Sequence, residues 1–221
     1  MPDIIKFKEP WGFSKLDCFR ACKAKFRYQF IDKLPQPGSK AMERGDKIHK
    51  GIESYLNGWK KDLPPEALEW KEEIDRLKAS DFKGEQAIGL DKDWKHLPSW
   101  FAPTTWVRIK MDSYYIENDT GYAIDFKTGK YRIPSSDQVE LYAIGMLSIA
   151  PYVNKVHAQM WFIDTGDMYE KVYTKDQLIQ LRSKYQGEAA VMYTEEQWEP
   201  EPSEECRYCP YSRTKNGPCK Y

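Results

Sequence analysis

Apolar residues recur at intervals of three and four over the first third of the chain, and at intervals of two over much of its middle. Leu16, Phe19, Cys22, Phe26 and Phe30 lie on one helical stripe behind Ser14, a suitable N-cap, and predict a helix from Ser14 to about Ile31. Pro35, Pro37 and Gly38 end it. Ile48, Ile52, Tyr55 and Leu56 predict a second helix from about Ser39 to Leu56, closed by Gly58. Pro64 and Pro65 open a third, with Leu68, Ile74 and Leu77 as its apolar positions.

The period then changes. Glu85–Leu90, Thr105–Glu117 and Tyr122–Lys127 alternate and are rich in β-branched and aromatic residues, so they predict strands. Residues 91–103, with two prolines and two tryptophans, predict a loop. Ser135 and Gln138 fit a capping box that launches an apolar helix to about Ala150. Lys155–Asp164 and Met168–Thr174 predict a hairpin about Thr165-Gly166, and a second capping box, Thr174 with Gln177, opens a helix through about Tyr193. Helices, a strand meander, a helix, a hairpin and a helix give an α/β or α+β fold with a central mixed β-sheet.

Composition narrows this picture only modestly. A chain of 221 residues, 41% hydrophobic and 14% aromatic, can fill the core of one large domain. No apolar run approaches the roughly 18 residues of a membrane span, and Met1–Lys6 lacks a signal-peptide pattern, so a cytoplasmic location is expected. The 34 basic and 34 acidic residues cancel, without the basic excess common in non-specific DNA binders. Local excesses remain: Lys23, Lys25 and Arg27 near the front, Lys127, Lys130 and Arg132 in the middle, and acid from Glu195 to Glu205.

The middle of the chain also carries candidate chemistry. In a strand, alternate residues share a face, so Asp125 and Lys127 point one way while Ile124 and Phe126 point into a core. A two-residue loop at Asn118-Asp119 sets Asp112 opposite Asp125. A four-residue loop sets it opposite Lys127, and a three-residue loop turns it to the wrong face unless a bulge restores the phase. Neighbouring carboxylates are costly unless a cation shares them, and hard oxygen ligands suit Mg²⁺ or Mn²⁺. Such a metal polarises a scissile phosphate, and a lysine beside it stabilises developing charge. An isolated Asp-x-Lys is more often a salt-bridged surface pair.

The wider pattern resembles the PD-(D/E)xK nuclease superfamily, specifically its RecB-like branch. The resemblance rests on Asp125-Phe-Lys127-Thr-Gly-Lys130, on Asp112 in the preceding strand, on Gln138 and Tyr142 in the following helix, and on His49 four residues after Gly45. It implies a restriction-endonuclease-like core, with Asp112, Asp125 and His49 as metal ligands. It further implies Lys127, Gln138 and Tyr142 as catalytic-site residues beside the two acids. Glu85 stands where the family often has an acidic residue.

Five cysteines cluster at the two ends. Cys206-x2-Cys209-x9-Cys219 is a metal-knuckle spacing short of one ligand, which Cys22 or Cys18 must supply. The resemblance selects Cys22, because the branch includes members whose first cluster cysteine follows a Ser-x-Leu-x2-aromatic-x2-Cys run, here Ser14, Leu16, Phe19 and Cys22. It implies a [4Fe–4S] cluster joining the two ends, with structural Zn²⁺ as the alternative because four thiolates serve both. Cys18 reads as a buried small hydrophobe.

The whole chain, 1–221, is then one nuclease domain: a helical part over 14–80, a catalytic sheet over 81–174, and a C-terminal helix with the cysteine clasp over 175–221. The implied function is a Mg²⁺- or Mn²⁺-dependent deoxyribonuclease, an exonuclease on single strands or duplex ends in recombination, repair or phage DNA metabolism. A phage-encoded chain would act in the host cytoplasm. With no helicase motif, unwinding falls to a helicase or recombination partner. A structure-specific endonuclease and a catalytically inert nucleic-acid-binding module are the alternatives.

Overall fold

The computed structural model describes residues 6–131 and 134–221; Met1–Ile5, Arg132 and Ile133 lie outside the described residues, and with them the N-terminal pattern and part of the central basic group. The chain divides into two compact units, one continuous from Ser39 to Ser183 and one built from Met1–Gly38 and Lys184–Tyr221. No helix among the described residues is long and apolar enough to cross a membrane.

The continuous unit holds the sheet. Helix α3 (Lys40–Leu56) is capped by the Ser39 hydroxyl, which accepts from Met42 N, and buries Ile48, Ile52, Tyr55 and Leu56 as its period requires. A 3₁₀ turn (Pro65–Trp70) leads into α4 (Lys71–Ala79). Here the expected stripe shifts. Leu68 is 56% exposed, and Ala67 and Trp70 are buried in its place, because the tighter 3₁₀ turn rotates residues away from the α-helical phase.

Strands β1 (Gln86–Leu90) and β2 (Val107–Met111) form a two-stranded antiparallel sheet. Strands β3 (Ser113–Glu117), β4 (Thr120–Lys127), β5 (Lys155–Phe162) and β6 (Asp167–Thr174) follow in order in a second sheet, with β4 and β5 parallel and the other pairs antiparallel. The single strand expected over Thr105–Glu117 is therefore two. Its alternation is unbroken, but its partner changes from β1 to β4, and Asp112 falls at the exchange. Helix α5 (Ser136–Ile149) forms the β4–β5 crossover and is buried continuously from Val139 to Leu147. It packs on β2, β4 and β5. On the other face of β4, Ile124 and Phe126 join Trp161, Ile163 and the apolar sides of α3 and α4 in one core, where Trp70 stacks on Trp161 at 5.0 Å. The result is a mixed central sheet flanked by helices.

The hairpin turns at Gly166, whose φ of +70° favours glycine. Helix α6 (Lys175–Thr194) begins with a true capping box: Gln177 N donates to Thr174 Oγ1 at 3.4 Å and Thr174 N donates to Gln177 Oε1 at 2.9 Å. The box expected at Ser135 is not formed. Ser135 caps α5 by accepting from Asp137 N, and Gln138 reaches instead for Tyr142.

The other unit departs further from its sequence pattern. The helix expected from Ser14 to Ile31 is three segments: α1 (Phe13–Ala21, capped at Gly12 rather than Ser14), α2 (Lys23–Phe26), and one π-helical stretch (Arg27–Ile31). The break falls on Cys22, which takes an extended conformation and caps α2 with its sulfur. Phe7, Phe19 and Trp198 all pack against Phe26, with Phe26 and Trp198 stacked 5.7 Å apart. A 3₁₀ turn (Glu204–Tyr208) carries Cys206.

Candidate active site and cysteine cavity

The β3–β4 register is Ser113 opposite Ile124 through Glu117 opposite Thr120, so the hairpin loop is the two-residue Asn118-Asp119. Continued by one step, it sets Asp112 against Asp125. Pairing stops just short of that step, which leaves the edge of β4 open from Asp125 onward, and the Asp112 side chain fills it: Phe126 N donates to Asp112 Oδ2 at 2.7 Å. The carboxylate stands in for a ladder partner.

Two sets of side chains meet at this edge. On the α5 face, Asp125 is 7% exposed. Tyr142 Oη donates to its Oδ1 at 2.6 Å, and Gln138 Nε2 in turn donates to Tyr142 Oη. Lys127 Nζ lies 2.7 Å from Asp125 Oδ2, an ion contact that lacks the angles of a good hydrogen bond. Burial pushes the Asp125 carboxyl up from its ordinary value; the Lys127 ammonium opposes this and the Asp112 charge adds to it. Tyr142 is raised well above the usual phenol range by burial and then by the Asp125 charge. On the α3 face, His49 Nδ1 lies 3.3 Å from Asp112 Oδ1, and its ring meets Phe126 edge-on at 6.1 Å. Burial disfavours the imidazolium, but the Asp112 hydrogen bond and charge outweigh it and raise the His49 pKa.

The Thr128–Lys130 loop is fastened from outside. Asp164, just after β5, accepts Gly129 N at 2.5 Å and takes a bidentate Arg44 from α3 at 2.7 and 2.8 Å. One residue on, a Cβ at Gly45 would lie 3.1 Å from Thr128 Oγ1, so the glycine lets α3 come close to the segment that follows Lys127.

A cavity of about 250 Å³ opens on the His49 side and is lined by His49, Asp112, Glu85, Lys110, Asp46 and Glu53 among others. Glu85 is ion-paired to Lys110 at 2.8 Å. Asp46, Lys50 and Glu53 were not distinguishable by residue type, since polar positions on a helix look like a solvated face. Their spacing from His49 is the available signal, because Asp46, His49, Lys50 and Glu53 repeat at intervals of three and four.

The structure thus brings Asp112, Asp125, Lys127, Gln138, Tyr142 and His49 to one strand edge. Oxygen and imidazole donors of this kind suit a hard divalent cation. Asp125 Oδ1 accepts from Tyr142 and Asp112 Oδ2 from Phe126 N, while Asp125 Oδ2 lacks a well-angled hydrogen-bond partner, and no group of three or more His, Cys, Asp or Glu side chains among the described residues is gathered as a metal site.

The remaining candidates lie in the other unit. Cys22, Cys206, Cys209 and Cys219 all line one small cavity of about 50 Å³, together with Lys25 and Tyr28. Cys22 Sγ accepts from Lys25 N at 3.4 Å and from Glu201 N at 3.5 Å, and Cys206 Sγ accepts from Ser203 N at 3.4 Å. The long gap before Cys219 closes on itself, since Cys219 N bonds Tyr211 O at 3.0 Å. Cys18 does not line the cavity; it is buried, and burial pushes its thiol up to about 11.

Residues 10–110 and 111–214 match the model of the PD-(D/E)XK nuclease superfamily. No curated protein matches the chain. The crystal structure of SSO0001 is similar, with a TM-score of 0.54 and 17% identity over 93% of this chain and 85% of that one. A candidate exonuclease from Eubacterium rectale gives a TM-score of 0.53 and 15% identity over 91% and 87%. At these identities the likeness is one of fold.

Proposed function

The chain belongs to the PD-(D/E)XK nuclease superfamily, and on that premise we propose that it is a divalent-metal-dependent deoxyribonuclease of the RecB-like branch. The observation that carries this reading is the convergence of Asp112 and Asp125, with Lys127 beside Asp125 and His49 beside Asp112, on the open edge of β4.

Asp112, Asp125 and His49 would hold Mg²⁺ or Mn²⁺, which supplies Lewis-acid polarisation of the phosphodiester and acidifies water. Asp125 is pre-set for a cation: its carboxyl is raised first by burial and further by the Asp112 charge, and one of its oxygens is short of a well-angled hydrogen bond. Tyr142 and Gln138 fix its rotamer from α5. Lys127 presents an ammonium where negative charge grows as the phosphate is attacked. His49 would offer the metal a ring nitrogen, and its contact with Asp112 orients the ring.

The preferred action is exonucleolytic, on single strands or duplex ends, in recombination, repair or phage DNA metabolism with a helicase or recombination partner. The E. rectale structure, itself a candidate exonuclease, favours this over structure-specific endonuclease action. In the other unit, the four-cysteine cavity would hold a [4Fe–4S] cluster, or structural Zn²⁺, with a purely architectural role.

End-labelled oligonucleotides and covalently closed plasmid, incubated with Mg²⁺ or Mn²⁺, test the proposal. Wild type should degrade ends, and Asp125→Ala and Lys127→Ala should not. Cutting of closed circles would replace exonuclease with endonuclease action. Absence of any metal-dependent cleavage would leave an inert binding module.

A further inference from the structure

The open face of the β1–β2 sheet carries a cluster that the cleavage residues do not use. Along β2, Val107, Ile109 and Met111 are buried, while Arg108 and Lys110 face outward. Asp112 continues that alternation, and it shares the His49 cavity with Lys110. Opposite Arg108 and Lys110, β1 offers only Gly89 and Ala87.

The loop before β2 lies down over that gap. A Cβ at Gly89 would sit 3.0 Å from Ser99 O and 3.2 Å from Trp100 Cα, so the close approach requires glycine. The loop thereby sets Trp100 and Phe101 against Arg108. The guanidinium carbon lies 5.3 Å from each ring centroid, and its Nε donates to Trp100 O at 3.2 Å. No ion pair balances Arg108 among the described residues. Phe101 is 78% exposed.

An exposed phenyl ring offers a face whose burial under a partner is favourable, and an aromatic partner adds stacking to that burial. An arginine clamped between two rings keeps outward N–H groups for an anion and loses little freedom on using them. Flat faces joined by anions describe single-stranded nucleic acid, whose bases stack on aromatic side chains while basic residues track its backbone. We propose that Trp100, Phe101 and Arg108 form a stacking platform for single-stranded DNA. Bases lie on Phe101 and Trp100, phosphates meet Arg108, and the strand runs along β2 toward Asp112, about 13 Å from Arg108 at the usual strand rise. This assignment rests on the nuclease reading, because continuity with Asp112 is what selects DNA over a protein partner.

Fluorescence anisotropy of labelled oligothymidine in EDTA reads binding without cleavage. Phe101→Ala should weaken binding at least about fivefold, the loss expected for one stacked base, without changing its salt dependence. Phe101→Trp should restore affinity. Arg108→Ala should weaken binding and flatten the log–log salt slope by about 0.7 for each phosphate no longer neutralised. Wild-type affinity in both alanine variants, at unchanged melting temperature, overturns the platform even if DNA is cut. Weakened binding in a protein that cuts no nucleic acid with Mg²⁺ or Mn²⁺ keeps the platform and discards the nuclease reading.

Discussion

The Asp112 carboxylate is bonded to the backbone N–H of Phe126 at 2.7 Å, where β3 has stopped pairing with β4. One oxygen of the acid thus completes a strand edge, and the other faces His49. A single side chain serves the fold with one atom and the candidate chemistry with the other.

These roles separate by substitution. Asp112→Asn keeps an acceptor for Phe126 N and removes only the charge. Its stability should stay within about 1 kcal/mol of wild type, while cleavage should fall by roughly 10²–10³. Asp112→Ala should lose activity and about 1–3 kcal/mol of stability as well, since a buried donor is left unpaired. Denaturant melts beside single-turnover cleavage rates check both outcomes, and full activity in the asparagine variant removes Asp112 from the proposed metal site.

Tyr142 supports Asp125 through a buried bond of 2.6 Å. Tyr142→Phe preserves shape but leaves a buried carboxylate oxygen without its hydroxyl donor. The expected loss is about 1–3 kcal/mol, together with a higher Mg²⁺ requirement for cleavage. Urea denaturation and a Mg²⁺ titration measure the two effects.

The Asp164 clamp predicts an acid-side pH dependence. The Arg44 hydrogen bond holds the Asp164 carboxyl below its ordinary value of 3.8, burial works against this, and the Gly129 N–H assists Arg44. A carboxyl held low in the folded state contributes stability that is complete above its unfolded value and is lost as pH falls below 3.8 through the folded value. Wild type should therefore lose more stability than Asp164→Asn between about pH 5 and pH 2. Parallel melting curves across this range would show the two lines converging.

The cysteines make a sharper contrast. Burial pushes the Cys18 thiol up to about 11, which disfavours the thiolate that a metal requires. Cys18→Ala should retain bound iron or zinc, and Cys22→Ala should lose it. Metal and acid-labile sulfide per chain, after anaerobic purification, decide this. Retention in Cys22→Ala would remove Cys22 from the ligand set.

Much of the fold was legible because one period governed each element. Ser39, Ile48, Ile52 and Leu56 define α3 by local rules alone, and strand phase alone separates Asp125 and Lys127 from Ile124 and Phe126. The two breaks were not legible. The stripe from Leu16 to Phe30 keeps its spacing across Cys22, and alternation from Val107 to Glu117 continues through Asp112, although both backbones change partner there. Periodicity records which face a residue shows, not which neighbour it pairs with. Trp100 and Phe101 were hidden for a related reason: a loop has no period, and this one is placed by contacts across the chain, among them its close approach to Gly89 and the Arg108 hydrogen bond to Trp100.

The division of the chain has a consequence for its synthesis. Ser39–Ser183 is continuous, whereas the other unit needs both Met1–Gly38 and Lys184–Tyr221. A chain made from its N-terminus therefore completes the sheet, with Asp112, Asp125 and Lys127 in place, while Cys22 still waits for its three sulfur neighbours. Cys206, Cys209 and Cys219 leave the ribosome after every strand of the sheet. The sulfur-lined cavity therefore comes into being only after the sheet is complete, and whatever fills it is loaded after the sheet has been made.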